Sequence, residues 1–198
     1  TSLAIEFEVH FDAATHGEAV DGRVLVLISR DGDTEPRFQT SAGLDAIQIA
    51  GVDVEGMTPG ASARIDESTF GYPIQSLDQL ALGDYWVQAL LHLYETFHRS
   101  DGHVVKLPMD RGEGQHWNRA PGNLYSTPIR IHLDPAEEKR VDLVLDQVIP
   151  PKEPPNDTEN EKNVKIQSEL LTEFWGRPMY LGAHVLLPEG FDEHPDAR

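Results

Sequence analysis

The chain has 198 residues, 39% of them apolar, no cysteine, and a formal net charge of −18 at pH 7. Its length suits one domain plus a fragment, or two small domains, with enough apolar content for a core. The charge speaks against nucleic acid and anionic membranes as partners, and the missing cysteine excludes disulfides, thiolate catalysis and cysteine-held metals.

Strand signals dominate the first two thirds of the chain. Leu3, Ile5, Phe7, Val9 and Phe11 alternate with Ala4, Glu6, Glu8 and His10, the period-2 pattern of a strand with one buried and one wet face. Residues 22–29 read as a more central strand, apolar on both faces, joined to the first by a polar loop in an antiparallel arrangement. Residues 46–54 and 61–65 read as shorter strands. Ser76 is placed to cap a single helical turn over residues 77–80. After the turn at Leu82-Gly83-Asp84 comes a long strand over residues 85–94; residues 90–98 carry a competing helical pattern, but Tyr85, Trp86 and Val87 favour strand continuation. Residues 129–133 and 141–145 alternate cleanly around a turn at residues 134–138. About seven short strands with polar turns indicate a mainly β chain, an immunoglobulin-like antiparallel β-sandwich over residues 1–148, with a small antiparallel barrel as the alternative.

The composition then shifts. Residues 149–163 are rich in proline and charge, which removes backbone donors and stiffens the chain, so they read as a linker, the alternative being a long surface loop inside one domain. Residues 168–187 read as two apolar strands joined by a turn at Trp175-Gly176-Arg177-Pro178, with residues 164–166 and 181–187 expected to pair as a β-hairpin. Leu170, Phe174 and Tyr180 are expected on a face that needs cover.

The loop over residues 99–126 is the best candidate site. It holds His103, His116, Trp117, Asn118 and Arg119, with glycines that let the backbone turn sharply, and a loop of this length is uncommon without a role. A Trp beside His, Asn and Arg suits stacking on a ligand ring and hydrogen bonding to it, so these five are assigned as ligand-binding. The alternative is that Trp117 only plugs the sandwich edge. Nine histidines show no metal-ligand spacing. His10 and His132 sit on polar strand faces where they would meet across a sheet. The acidic run at residues 31–35 supplies closely spaced oxygens but departs from the EF-hand pattern and is equally a turn. No metal, cofactor or catalytic residue is assigned.

The stretch over residues 168–191, with Trp175-Gly176-Arg177-Pro178-Met179-Tyr180-Leu181 and the closing Pro188-Glu189-Gly190-Phe191, resembles the opening strands of the catalytic domain in secreted esterases related to esterase D and enterochelin esterase, and the likeness covers roughly the last 35 residues. Residues 83–89 and 121–126 look like the β-rich region that precedes the hydrolase domain in such proteins. No Gly-x-Ser-x-Gly elbow occurs, so the family's catalytic Ser, Asp and His have no matching positions. The resemblance implies an α/β-hydrolase body following Arg198, with residues 164–198 as its truncated opening strands and catalysis by a Ser-His-Asp mechanism belonging to that body.

The expected function is that of a non-catalytic N-terminal accessory domain, positioning substrate or partner near the catalytic domain. The alternative is a stand-alone β-sandwich module for carbohydrate or peptide. Expected partners are the chain's own catalytic domain or another copy of the chain, and a small-molecule or carbohydrate ligand. The start at Thr1 suits a processed protein, and the expected location is periplasmic or secreted.

Overall fold

In β1 (Ile5–His10) the side chains of Ile5, Phe7 and Val9 are buried, while Glu6 and Glu8 take the other face. That other face carries the cross-strand charges which place β1 between its neighbours: β4 (Ser62–Ile65) on one side and β10 (Lys139–Val144) on the other. Arg64 pairs with Glu6 at 2.7 Å, and Arg140 lies opposite Glu6 and pairs with Glu8. Opposite charges facing one another across strands stabilise a sheet by a few tenths to about 1 kcal/mol per pair. The β1–β10 pairing is parallel and the β1–β4 pairing antiparallel.

The computed structural model describes residues 5–41, 43, 46–134, 139–153 and 155–191. The expected turn at 134–138 and the start of the first strand at Leu3 fall largely outside those residues. The chain is mainly β and divides into two compact units, Thr1–Glu95 with Pro108–Pro151, and Thr96–Leu107 with Lys152–Arg198.

The first unit is a two-layered sandwich. Opposite the three-stranded sheet lies a larger one, built on β2 (Val20–Ser29), β3 (Gln48–Met57), β5 (Gly71–Tyr72) and β6 (Gly83–His98). It continues through β8 (Leu124–Tyr125), β9 (Ile129–Leu133) and β11 (Gln147–Val148). β7 (Val104–Leu107) also pairs with β6, whose last residues, Thr96–His98, belong to the second unit. Between the layers, Phe7 and Val9 meet Val24 and Val26 from β2, Val87 and Leu91 from β6, and Leu143 from β10 in one core. Each such side chain contributes roughly 1.5–3 kcal/mol by leaving water.

Three expectations are corrected here. β1 and β2 do not pair: β1 lies in the small sheet, and β2 runs antiparallel to β3 and β6 in the large one. The apolar register continues past β1 to the fully buried Phe11, and the polar loop after it crosses between layers, tightened by a turn in which Thr15 N–H donates to Asp12 O. His10 and His132 do not meet, because they stand in different sheets; His132 Nδ1 lies 3.0 Å from Asp84 Oδ1. Ser76 precedes a single 3₁₀ turn, as expected, but its hydroxyl donates to Glu67 O instead of capping.

In the second unit, β12 (Glu161–Gln167) and β13 (Tyr180–Leu186) form the expected antiparallel hairpin, with Val164 opposite Ala183 and Ile166 opposite Leu181. What joins them is a helix, not a strand and a Gly-Pro turn. α1 (Glu169–Trp175) replaces the apolar strand expected there. Ser168 caps it by accepting from Leu171 N–H at 3.3 Å, Glu169 sits favourably in the first turn, and Gly176 ends it at φ 66°. Phe174 and Trp175 pack edge-to-face at 5.1 Å, and Trp175 meets Phe97 at 5.4 Å. Leu170 and Phe174 therefore stand on a helix, and only Tyr180 of the three expected face residues stands on a strand. No helix among the described residues is long and apolar enough to cross a membrane.

Candidate functional site

The larger sheet of the first unit presents its second face away from the core, and strand register decides what stands on it. Arg23 lies opposite Asp53 on one side and His92 on the other; Leu25 lies opposite Gly51 and Leu90; Ile49 lies opposite Tyr72. Of these, Arg23, Leu25, Ile49, Gly51, Tyr72 and His92, together with Phe70 and Trp117, bound a groove of ≈ 340 Å³, near the lower end of ordinary ligand sites at roughly 300–1,000 Å³. Leu25, Ile49 and Gly51 make the floor. Phe70 and Tyr72 stand at one side, 67% and 51% exposed, and Trp117 and His92 also line it.

Gly51 keeps the floor low. A Cβ there would stand 2.6 Å from Leu25 Cδ2 and 2.8 Å from Val24 O, so any side chain would displace Leu25. The polar rim is the Arg23 Nη1–Asp53 Oδ1 pair at 2.9 Å and the half-buried His92 imidazole. Burial lowers the His92 pKa, with the Glu113 charge opposing, so the ring is neutral at pH 7 and offers one donor and one acceptor. Its ring packs edge-to-face on Tyr94 at 5.6 Å, and it makes no side-chain hydrogen bond among the described residues.

Trp117 reaches the groove because two loops are knotted onto the sheet. Gln88, fully buried, donates to Glu35 Oε2 and to Ser126 O, each at 2.9 Å, and accepts from Arg37 N–H at 3.0 Å. Arg37 Nε donates to Glu35 at 2.7 Å, its Nη1 donates to Asn118 O at 3.1 Å, and Asn118 Nδ2 donates back to Arg37 O at 2.8 Å. The guanidinium lies 4.1 Å from the Phe38 ring and 4.2 Å from that of Tyr125. Asn123 ties the same loop to β6, accepting from Leu93 N–H and donating to Trp117 O. The Trp117 indole rests on Leu27, Leu90 and Ile149.

Glu35 gives this knot a pH dependence. Burial disfavours its charge, but hydrogen bonds from Arg37 and Gln88 and the Arg37 charge outweigh that and hold the carboxyl below its ordinary 4.5. A carboxyl lowered on folding adds stability above its unfolded value, and loses it as pH falls through the folded one. The destabilisation caused by Glu35→Gln is therefore expected to be full at pH 7 and to shrink as pH drops below 4.5. Urea midpoints of both proteins across that range check this; a gap that stays constant with pH contradicts it.

Of the five residues assigned from sequence, only Trp117 lines the groove. Asn118 serves as an anchor for Arg37. His116 is exposed and precedes the 3₁₀ turn Trp117–Arg119 without a side-chain bond, and Arg119 lies 5.3 Å from the Phe38 ring. His103 belongs to the second unit, with Nδ1 3.1 Å from Asp101 Oδ1. Arg23, Gly51, Phe70, Tyr72 and His92 were missed. The available signals were the period-2 aromatic pair Phe70-Gly71-Tyr72 just before Pro73, and Arg23 standing directly before the apolar run of residues 24–28. In the acidic run, Asp31 Oδ1 accepts from Asp33 N–H in a tight turn. Among the described residues no group of three or more His, Asp or Glu side chains is placed to hold a metal ion. No protein-family model, curated protein or solved structure matches the chain.

Proposed function

We propose that this chain is a non-catalytic accessory domain whose sandwich holds a ligand in the outer-face groove, serving an esterase-like hydrolase. The observation that carries the binding role is the groove itself: exposed aromatic side chains beside an imidazole with no side-chain hydrogen bond among the described residues, on a floor kept low by Gly51. Apolar walls with a few convergent polar groups are the usual make-up of ligand sites.

The link to a hydrolase rests on the resemblance of residues 168–191. A feature of the hairpin supports it. Val164, Ile166, Leu181 and Val185 share one face of β12 and β13 and all stand exposed, the alternation of a sheet that expects a partner layer. The immunoglobulin-like character of the sandwich and a periplasmic or secreted setting belong to the same proposal. The second reading, a stand-alone binding module, uses the same groove without a hydrolase.

The purified chain is expected to hydrolyse 4-nitrophenyl acetate no faster than a histidine-matched buffer control. Turnover above that control, abolished by a serine-directed inhibitor, would defeat the non-catalytic assignment, since an unactivated serine is a weak nucleophile. The coding sequence after Arg198 separates the two readings: an apolar strand and a later Gly-x-Ser-x-Gly support the accessory role, and a stop codon leaves only the stand-alone module.

A further inference from the structure

We infer that the groove binds a neutral saccharide, with a sugar ring lying against the Phe70, Tyr72 and Trp117 side chains and its hydroxyls met by His92 and the Arg23–Asp53 pair. The inference rests on the reading of this groove as the ligand site and names the class of ligand.

A pyranose has an apolar C–H face and a rim of hydroxyls, each both donor and acceptor. Its complement is a rigid aromatic surface with mixed donors and acceptors at the edge. Phe70 and Tyr72 offer the surface: both are more than half exposed, at adjacent outward positions in one short stretch of chain. Aromatic side chains supply such area at low entropic cost, having few rotatable bonds to fix. The edge is mixed as hydroxyls require. Arg23 brings planar donors, Asp53 an acceptor 2.9 Å away, and His92 one of each.

Other ligand classes fit less well. An anion would need a free cation, but Arg23 is already matched by Asp53, and the chain carries −18 overall. An extended peptide gains most of its affinity by adding to a sheet edge. The groove floor lies on β2 and β3, where Arg23, Leu25 and Leu27 are paired in register with Asp53, Gly51 and Ile49. The backbone there is already engaged in ladders, and only side chains remain to be read. A purely apolar ligand would bury the Arg23–Asp53 pair and His92 without replacing their hydrogen bonds with water, which costs free energy.

The test is a ¹⁵N–¹H titration of the full chain with four neutral hexasaccharides (cellohexaose, mannohexaose, xylohexaose, laminarihexaose), alongside hexagalacturonate and an uncharged extended decapeptide. At least one neutral sugar is expected to shift the Trp117 indole N–H and the Gly51 and Tyr72 amides along a saturable curve. Phe70→Ala, at an exposed position, is expected to keep the wild-type urea midpoint and to weaken that binding roughly tenfold, the size of one lost stacking contact. Tyr72→Ala supplies an independent second variant. Failure of all four neutral sugars to move these signals overturns the inference, as does sugar binding that maps elsewhere or is indifferent to both variants. If the peptide or hexagalacturonate moves the groove signals instead, the ligand class is wrong and the groove remains a site. If no probe moves them, the reading of the groove as a ligand site falls too.

Discussion

Gly22→Ala is expected to destabilise the first unit by about 3 kcal/mol, the upper end of ordinary overpacking costs. Gly22 stands on β2 facing Leu93 of β6. A Cβ there would lie 2.3 Å from the His92 carbonyl oxygen, 3.1 Å from its carbon and 3.2 Å from Leu91 Cδ1. Two of those atoms are backbone, so no side chain can swing aside; β2 and β6 must separate. The crowding has a local cause. The β2–β3 register shifts between Val20 and Gly22, and Asp21 Oδ1 accepts the Gly56 N–H at 2.8 Å where Gly56 turns at φ 57°. Such irregularities increase local twist and draw strands close, a place suited to glycine. The next residue on β2 is Arg23, opposite His92, so parting these strands also disturbs the groove rim. Gly17→Ala is the control: its Cβ would meet nothing closer than 4.0 Å, and its expected effect is within about 0.5 kcal/mol. Urea unfolding compares the two. Equal midpoints would mean that the close approach of β2 to β6 is not real.

What the sequence disclosed, and what it withheld, follows from the range of the interactions involved. Alternation within a strand is local, so Ile5, Phe7 and Val9, and likewise Val141 and Leu143, were legible as the buried face of their strands. Partnership between strands is not local. Nothing in residues 5–10 announces that they pair with 139–144, more than a hundred positions away, and adjacency in the chain wrongly suggested β2. Residues 168–176 were misread for a different reason. Leu170, Leu171, Phe174 and Trp175 are apolar enough for either element, and the deciding signals were the cap at Ser168 and the stop at Gly176, about two helical turns apart. Trp117, which lines the groove, was singled out because a Trp in a long polar loop is conspicuous. Arg23 and His92 were not, because each looks like a surface residue until the register sets them side by side.

Arg37→Ala is expected to cost about 3 kcal/mol, a value between a charged hydrogen bond and a broken buried ion pair. Glu35 is about a third exposed in its side chain, 38%, so water softens the loss of its partner, while the arginine itself is nearly buried. The larger part of the cost lies elsewhere. Asn118 O loses its Arg37 donor, the space between Phe38 and Tyr125 loses the plane that filled it, and Gln88 is left as the remaining partner of Glu35 Oε2. The contacts to Asn118 and Tyr125 join residue 37 to segments far apart in the chain, so no local rearrangement replaces them. Arg37→Lys keeps the charge but not the flat fork that satisfies Glu35 and Asn118 together, and about half the loss is expected to persist. Because Asn118 adjoins Trp117, the alanine variant is also expected to move the Trp117 indole N–H signal and to blunt any ligand response in the groove, while leaving β1, β4 and β10 unshifted. Urea midpoints with ¹⁵N–¹H spectra of both variants measure this. An Arg37→Ala protein that unfolds within about 0.5 kcal/mol of wild type, the range of an ordinary surface change, with an unmoved Trp117 signal, would show that the loop over residues 116–126 is held on the sheet by its Asn123 and Ser126 contacts alone.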